Sequence, residues 1–217
     1  MKLKIKESVL DGFKVVKNNP VILFVGLIYA IIIKLLEPKN LAQLLDGELS
    51  YNLYDFVYSY GGLNLIAIIS VSIFINGVII VMAAKGKKFS TMSAVKLVAS
   101  KYIILLLSSI LVFAVTSLGL IALILPGIFL FIKLLYFEQA ILLNNKGVVE
   151  SLKMSWNVTR ENWLGIFTLV ILISLLSLVI VVPIDFFSRY IADLIGGILI
   201  VPLVATIYTK SYLQLKK

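Results

Sequence analysis

Thirty consecutive residues of this chain, 103–132, carry no charged side chain. As a single helix they would be about 45 Å long, well beyond the roughly 30 Å of a bilayer's hydrocarbon core. The stretch therefore predicts parts of two membrane spans joined by a turn near Ser117-Leu118-Gly119, with Pro126-Gly127 early in the second span. The alternative position for the turn is Pro126-Gly127 itself.

The rest of the chain is similarly apolar. Of its 217 residues, 61% are hydrophobic and 14% are charged, against about 45–50% and about 25% in soluble domains. Six runs approach the roughly 20 apolar residues that a span requires, and they lie at 21–36, 63–84, 102–119, 121–143, 163–182 and 191–208. We therefore predict an all-α integral membrane protein with six transmembrane helices in one polytopic domain, residues 1–217.

Basic side chains flank these runs unevenly. Sixteen lysines and arginines lie before the first run or after the second, fourth and sixth, whereas three (Lys34, Lys39 and Arg189) lie on the other side. Such a bias sets the orientation of a membrane protein. It predicts a multi-pass protein of the cell (plasma) membrane with both termini in the cytoplasm. The net charge is +9, and most of the basic residues lie on one predicted face of the membrane. We therefore expect membrane lipids as partners and no binding to nucleic acid.

The longest connection on the predicted outer side is 37–60. It carries several aromatic residues, among them Tyr51, Tyr54, Phe56 and Tyr58. Aromatic rings favour the headgroup layer, so this is predicted to be an outer interfacial segment. An aromatic ligand cage is the alternative.

Three segments on the predicted cytoplasmic side resemble one another. Each begins with a serine (Ser8, Ser90, Ser151), has a small residue four positions on (Gly12, Ala94, Ser155) and an apolar one five positions on (Phe13, Val95, Trp156). Serine is a good helix N-cap. In the first segment the apolar residues Ile5, Val9, Phe13 and Val16 are spaced by four, four and three, which marks one helical face. The pattern predicts three parallel repeats of interfacial amphipathic helix plus transmembrane hairpin, at about 5–84, 90–143 and 150–213. The predicted interfacial anchors are Phe13, Trp156 and Trp163.

Two motifs near the third repeat match a known pattern, in which a Pro-Gly opens a span and a Ser-Trp pair lies in the next interfacial helix. The matching residues are Pro126, Gly127, Ser155, Trp156 and Asn162, while Ser151 and Met154 depart from it. The chain thereby resembles the membrane domain of glycerophosphoryl diester phosphodiesterases and related uncharacterised six-span prokaryotic membrane proteins. In those phosphodiesterases the activity resides in a separate soluble domain, so the resemblance implies a fold and no catalytic residue.

Three polar residues fall inside the apolar runs. Lys133 and Glu138 lie in the fourth run and Asn76 in the second. Charges inside a membrane are costly and are functional candidates by default. We treat Lys133, Glu138 and Asn76 as candidate ligand or proton-binding residues. The alternatives are snorkelling or buried polar contacts for the two charges, and a hydrogen bond to another helix for Asn76.

Two further features mark the sixth run. Asp185, Arg189 and Asp193 are spaced by four and predict a solvated ladder extending the sixth helix outward. Gly196-Gly197 and Pro202 predict close helix packing, with a gating hinge as the alternative.

The chain contains no cysteine and no histidine, which excludes disulfides, Cys/His metal sites and histidine-ligated haem. It also has no phosphate-binding glycine loop and no carboxylate cluster. We expect no metal, no cofactor, no catalytic residue and no enzyme activity.

The leading functional hypothesis is a non-enzymatic protein that binds or transports lipid or a small solute, or serves as a membrane scaffold. The first alternative is an accessory or assembly subunit that docks a protein partner through its cytoplasmic amphipathic helices. The weaker alternative is an intramembrane lipid-headgroup enzyme that uses Glu138 as acid or base.

Overall fold

The computed structural model describes residues 2–36, 60–86 and 89–216. Within these ranges every regular element is a helix. The predicted outer segment lies outside the described residues except for its last residue. The helices are α1 (Ile5–Asn18), α2 (Val21–Leu36), α3 (Tyr60–Lys85), α4 (Thr91–Ala122), α5 (Ile124–Leu134), α6 (Phe137–Asn144), α7 (Val148–Thr159), α8 (Trp163–Phe187), α9 (Arg189–Ile195), a π-helix (Gly196–Ile200) and α10 (Val201–Leu215).

Several of these helices are long and apolar enough to cross a bilayer. Among the described residues there are five such stretches, namely 64–85, 91–122, 124–144, 163–187 and 189–215. Helices α1 and α2 are long and apolar enough to span a membrane only when the two are taken together as one bent span. Counting that pair gives six candidate spans among the described residues. The chain is therefore an all-α protein of membrane type.

The bend between α1 and α2 follows from Asn19 and Pro20. The two helices meet at 87°. A residue that precedes proline is pushed out of the helical region, and Asn19 has φ −133° and ψ 77°. As a result α1 does not continue the line of α2 and packs on α10 instead.

The predicted interfacial helix of the second repeat is not a separate element, and the predicted turn near Ser117-Leu118-Gly119 is also wrong. Helix α4 runs without interruption from Thr91 to Ala122, a length of about 48 Å. The chain leaves the helix at Leu123, where φ is −165° and ψ is 147°. No proline interrupts this segment, which is why it continues straight into the span.

Gly119 serves helix packing and not a turn. A Cβ atom added to Gly119 would lie 3.0 Å from the Cα atom of Gly127, and one added to Gly127 would lie 2.7 Å from the backbone nitrogen of Leu120. The two glycines therefore allow α4 and α5 to approach closely as an antiparallel hairpin.

The second helix of each predicted hairpin lies towards the centre of the bundle. We compare the buried share of an 18-residue apolar stretch in each span. It is 39% in α3, 44% in α5–α6 and 39% in α9–α10, but only 17% in α4 and in α8. Residues 78–83 of α3 are almost completely buried, and with Ile141 and Ala205 they form the main core. Helices α4 and α8 consequently present most of their apolar surface outward.

The predicted ladder is correct for Arg189 and Asp193, which share α9 at the outer end of the sixth span, and wrong for Asp185. Helix α8 ends at Phe187 and α9 begins at Arg189, because Ser188 is extended and caps the Ile191 nitrogen of α9 at 3.4 Å. Asp185 thus lies on a different helix from the other two. Asp193 instead pairs with Lys34 of α2 at 2.5 Å.

Candidate functional site

The break between α5 and α6 is held by a side chain from α7. The hydroxyl of Ser155 donates to the carbonyl oxygen of Lys133 at 2.8 Å and accepts from the backbone nitrogen of Tyr136 at 3.0 Å. Both groups are free at the break because the helical ladder is interrupted there. Ser155 therefore docks α7 against the kinked span, a role that the sequence did not indicate beyond the small size of the residue.

Lys133 is enclosed by aromatic rings. Its side chain is only 4% exposed, and its ammonium nitrogen lies 5.3 Å from the ring centre of Phe129 and 5.4 Å from that of Trp156. Trp163 packs edge-on against Phe129 at 5.9 Å. The structure thus gathers Lys133, Trp156 and Trp163, which the sequence predicted as separate features, into one cluster that we call the Lys133 cluster.

No described residue forms an ion pair with Lys133. Attraction between an ammonium and aromatic faces offsets part of the cost of burying the charge, by about 0.5–2 kcal/mol. The Lys133 cluster therefore carries an excess of positive charge.

Glu138 and Asn76 form a second polar site. The side-chain nitrogen of Asn76 in α3 donates to the Glu138 carboxylate in α6. The two candidate charges of the fourth run consequently have different partners, since Glu138 contacts α3 while Lys133 contacts aromatic rings. A carboxylate–amide pair of this kind joins two central helices.

A tyrosine cluster was missed by the sequence reasoning. The Tyr136 hydroxyl donates to Ser211 at 2.7 Å, because the Ser211 hydroxyl itself donates to a backbone carbonyl. The Tyr212 hydroxyl donates to Asn144 at 2.7 Å, and the Tyr136 and Tyr212 ring centres are 5.6 Å apart. Buried tyrosine hydroxyls require partners, so tyrosines within apolar runs were the available signal.

Clefts lined by lysines lie beside α1, α7 and α10. One, about 660 Å³, lies between α7 and the end of α10, and its polar lining is Lys146, Glu150, Lys153, Asn157 and Lys216. A second, about 380 Å³, is lined by Leu134, Leu152, Lys153, Trp156 and Asn157. A third, about 220 Å³, is lined by Asp11, Lys14, Val15, Asn18, Asn19, Gly86 and Lys210. Lysines outnumber carboxylates in each lining, which suits the binding of anions.

The predicted anchor Phe13 lies on the outward side of α1. Its side chain is 44% exposed and that of Leu10 is 47% exposed, whereas Ser8, Gly12 and Val16 are buried. Gly12 lies against Ile207 of α10, since an added Cβ would meet its side chain. Helix α1 therefore packs on the protein through small residues and leaves large apolar ones uncovered.

The role of Ser155 yields a testable expectation. Ser155→Ala should destabilise the protein by about 1–3 kcal/mol, because it leaves a buried backbone N–H without a partner. Ser151→Ala is the matched control. Ser151 is equally buried one turn earlier, but its hydroxyl bonds only to the carbonyl of Val148 in its own segment. Unfolding curves measured in the same detergent should show that Ser155→Ala is less stable than Ser151→Ala. Equal stability of the two variants would contradict the role assigned to Ser155.

Comparison with other proteins gives one family match. Neither the curated proteins nor the solved structures with which the chain was compared contain a match. Among the described residues no group of three or more His, Cys, Asp or Glu side chains is placed to hold a metal ion. One family model matches residues 55–211, which is more than half of the chain. The chain therefore belongs to the family described as "Domain of unknown function (DUF7847)".

Proposed function

We propose that this protein is a non-enzymatic membrane scaffold built from three hairpin repeats, whose interfacial helices bind anionic lipid of the cytoplasmic leaflet. The observation that carries the proposal is the packing of α1 and α7. Both bury a stripe of small residues against the bundle and leave large apolar and basic side chains uncovered beside it.

The repeat arrangement is supported by equivalent burial. Counted from the first serine, the positions four and eight residues on are buried in all three copies. These residues are Gly12 and Val16, Ala94 and Val98, and Ser155 and Thr159. Each leading helix also packs on the last span of the preceding copy: α1 on α10, the start of α4 on α3, and α7 on α6. This cyclic pattern is what three parallel copies around a central axis would produce.

Contact with lipid is supported by the exposed faces of α1 and α7. Leu10 and Phe13 on α1, and Val149 and Trp156 on α7, are between 39% and 56% exposed. Lys14 and Lys153 lie on the same two helices and are exposed. Apolar side chains next to lysines suit the headgroup boundary, and each lysine near an anionic surface contributes about 1 kcal/mol.

A scaffold fits the centre of the bundle better than a transport path does. Ile79, Ile80, Val81 and Ala83 of α3 are completely buried in an apolar core shared with α10 and α6. Such close packing supports a static framework. The resemblance to the membrane domain of glycerophosphoryl diester phosphodiesterases remains a prediction and adds no activity.

The experiment compares thermal unfolding in nanodiscs of phosphatidylcholine alone and with phosphatidylglycerol. The wild type should unfold at a higher temperature with the anionic lipid, because lipid that binds the folded state stabilises it. A variant with Lys14, Lys153 and Lys210 changed to Gln should lose at least half of that difference. Arg189→Gln, on the predicted outer side, is the control and should retain the difference.

An anionic-lipid effect that is equal in all three proteins would refute the proposal. Docking of a protein partner on Leu10 and Phe13 is the alternative. In that case the unfolding temperature of the wild type would be the same with and without phosphatidylglycerol.

A further inference from the structure

We infer that the cleft of about 380 Å³ beside Trp156 holds the phosphate of an anionic phospholipid, with Lys153 at its rim and Lys133 behind the indole ring. This inference rests on the proposed contact of α7 with the cytoplasmic leaflet. It adds a defined site and a chemical class of ligand to that contact.

The first argument is the uncompensated charge of Lys133. A buried ammonium is costly unless an anion or several acceptors face it. Two aromatic rings face the ammonium of Lys133, and no described residue pairs with it. An anion beside this cluster would neutralise a surplus that the protein's own described residues leave in place.

The second argument is the position of Trp156. The residue lines the cleft, and its ring also faces the ammonium of Lys133. An anion in the cleft would therefore lie beside Lys153 and next to the indole ring whose face the Lys133 ammonium contacts. Glu150, the acidic residue of the adjacent larger cleft, lies 3.7 Å from Lys146 and is not part of this lining.

The third argument is the mixed character of the walls, which favours a lipid over a free anion. Leu134 and Leu152 supply apolar walls, while Lys153 and Asn157 supply the polar rim. Phe131 lies one turn before Leu134 on α5 and is 45% exposed, so apolar surface continues from the cleft along the span. A phosphate with an attached glycerol and acyl chains matches this sequence of surfaces.

The test uses the fluorescence of Trp156. The chain has two tryptophans, so Trp163→Phe leaves Trp156 as the single reporter. Two samples are prepared in phosphatidylcholine bilayers. One contains a small fraction of brominated phosphatidylglycerol, and the other contains the same mole fraction of brominated phosphatidylcholine. The anionic quencher should reduce the fluorescence with an apparent affinity at least about fivefold higher, the factor expected from one lysine at a membrane surface.

Lys133→Met and Lys153→Met, each in the same background, should reduce or abolish this preference. Lys133→Arg keeps the charge and should retain it, which separates lost binding from misfolding. Arg189→Met, on the predicted outer side and outside the lining of this cleft, is the control and should also retain it.

Equal quenching by the two brominated lipids would overturn the inference but leave the proposed lipid contact of α7 intact. Absence of quenching by either lipid would overturn both. Inorganic phosphate is the final arm. If millimolar phosphate relieves the quenching by phosphatidylglycerol, the site is one for free phosphate and the assignment to lipid fails.

Discussion

Gly197→Ala should lower the stability of this protein by about 1–3 kcal/mol, whereas Gly196→Ala should leave it unchanged or slightly higher. The two glycines are adjacent in the π-helix but face different surroundings. A Cβ atom on Gly197 would lie 2.6 Å from the Cβ of Ala30 in α2, while one on Gly196 would meet nothing within 4 Å. Only the first substitution forces two helices apart.

The measurement is the midpoint of unfolding in a denaturing-detergent titration, with the two variants compared side by side. Ala30→Gly combined with Gly197→Ala should recover part of the loss, because it removes the closest of the clashing atoms. Gly26→Ala should behave like Gly197→Ala, since its Cβ would approach the Gly197 carbonyl oxygen to 2.7 Å. Equal midpoints for Gly196→Ala and Gly197→Ala would show that α2 does not pack on the π-helix.

The spans were predictable because a bilayer leaves the backbone few choices. Without water, every N–H and C=O must be satisfied within the segment, so a long apolar run becomes a helix. The predicted run 63–84 became Tyr60–Lys85, and the run 163–182 became Trp163–Phe187. Hydropathy therefore located these helices to within a few residues at each end.

The direction of the segment before each span was not predictable from amphipathicity alone. The serine-led segments look alike in sequence, yet α1 bends by 87° at Pro20 and α4 continues straight through Tyr102. Tyr102 is compatible with a helix, whereas Pro20 restricts the residue before it. In α4 the buried Ala94 and Val98 pack in the main core, and that tertiary contact decides the path.

The candidate site was predictable in its members but not in its pairings. Sequence reasoning singled out Lys133, Glu138 and Asn76 as costly polar groups. The kink between α5 and α6 then gives Lys133 and Glu138 different surroundings, and the hydroxyl that caps the kink comes from Ser155, about twenty residues later. Contacts between distant segments depend on how the helices pack, which local spacing does not encode.

Asn76→Leu should destabilise the protein by about 3 kcal/mol, the largest effect expected of any single change considered for the bundle. The substitution leaves the half-buried Glu138 carboxylate without its amide donor, and removing one partner of a charge-assisted hydrogen bond costs more than replacing both partners by apolar groups. Glu138→Gln keeps an acceptor of the same shape and should cost less. Thr116→Val is the control, because the Thr116 hydroxyl bonds only within its own helix.

The double variant Asn76→Leu/Glu138→Met distinguishes the two interpretations of this pair. If the pair serves helix packing alone, the double variant should be more stable than Asn76→Leu, because no buried carboxylate is left unpartnered. Unfolding curves of the wild type, Asn76→Leu, Glu138→Met and the double variant in one detergent give the coupling energy. A double variant that is no more stable than Asn76→Leu would show that the Glu138 carboxylate has another stabilising partner, and the candidate ligand role of Glu138 would then outweigh the structural one.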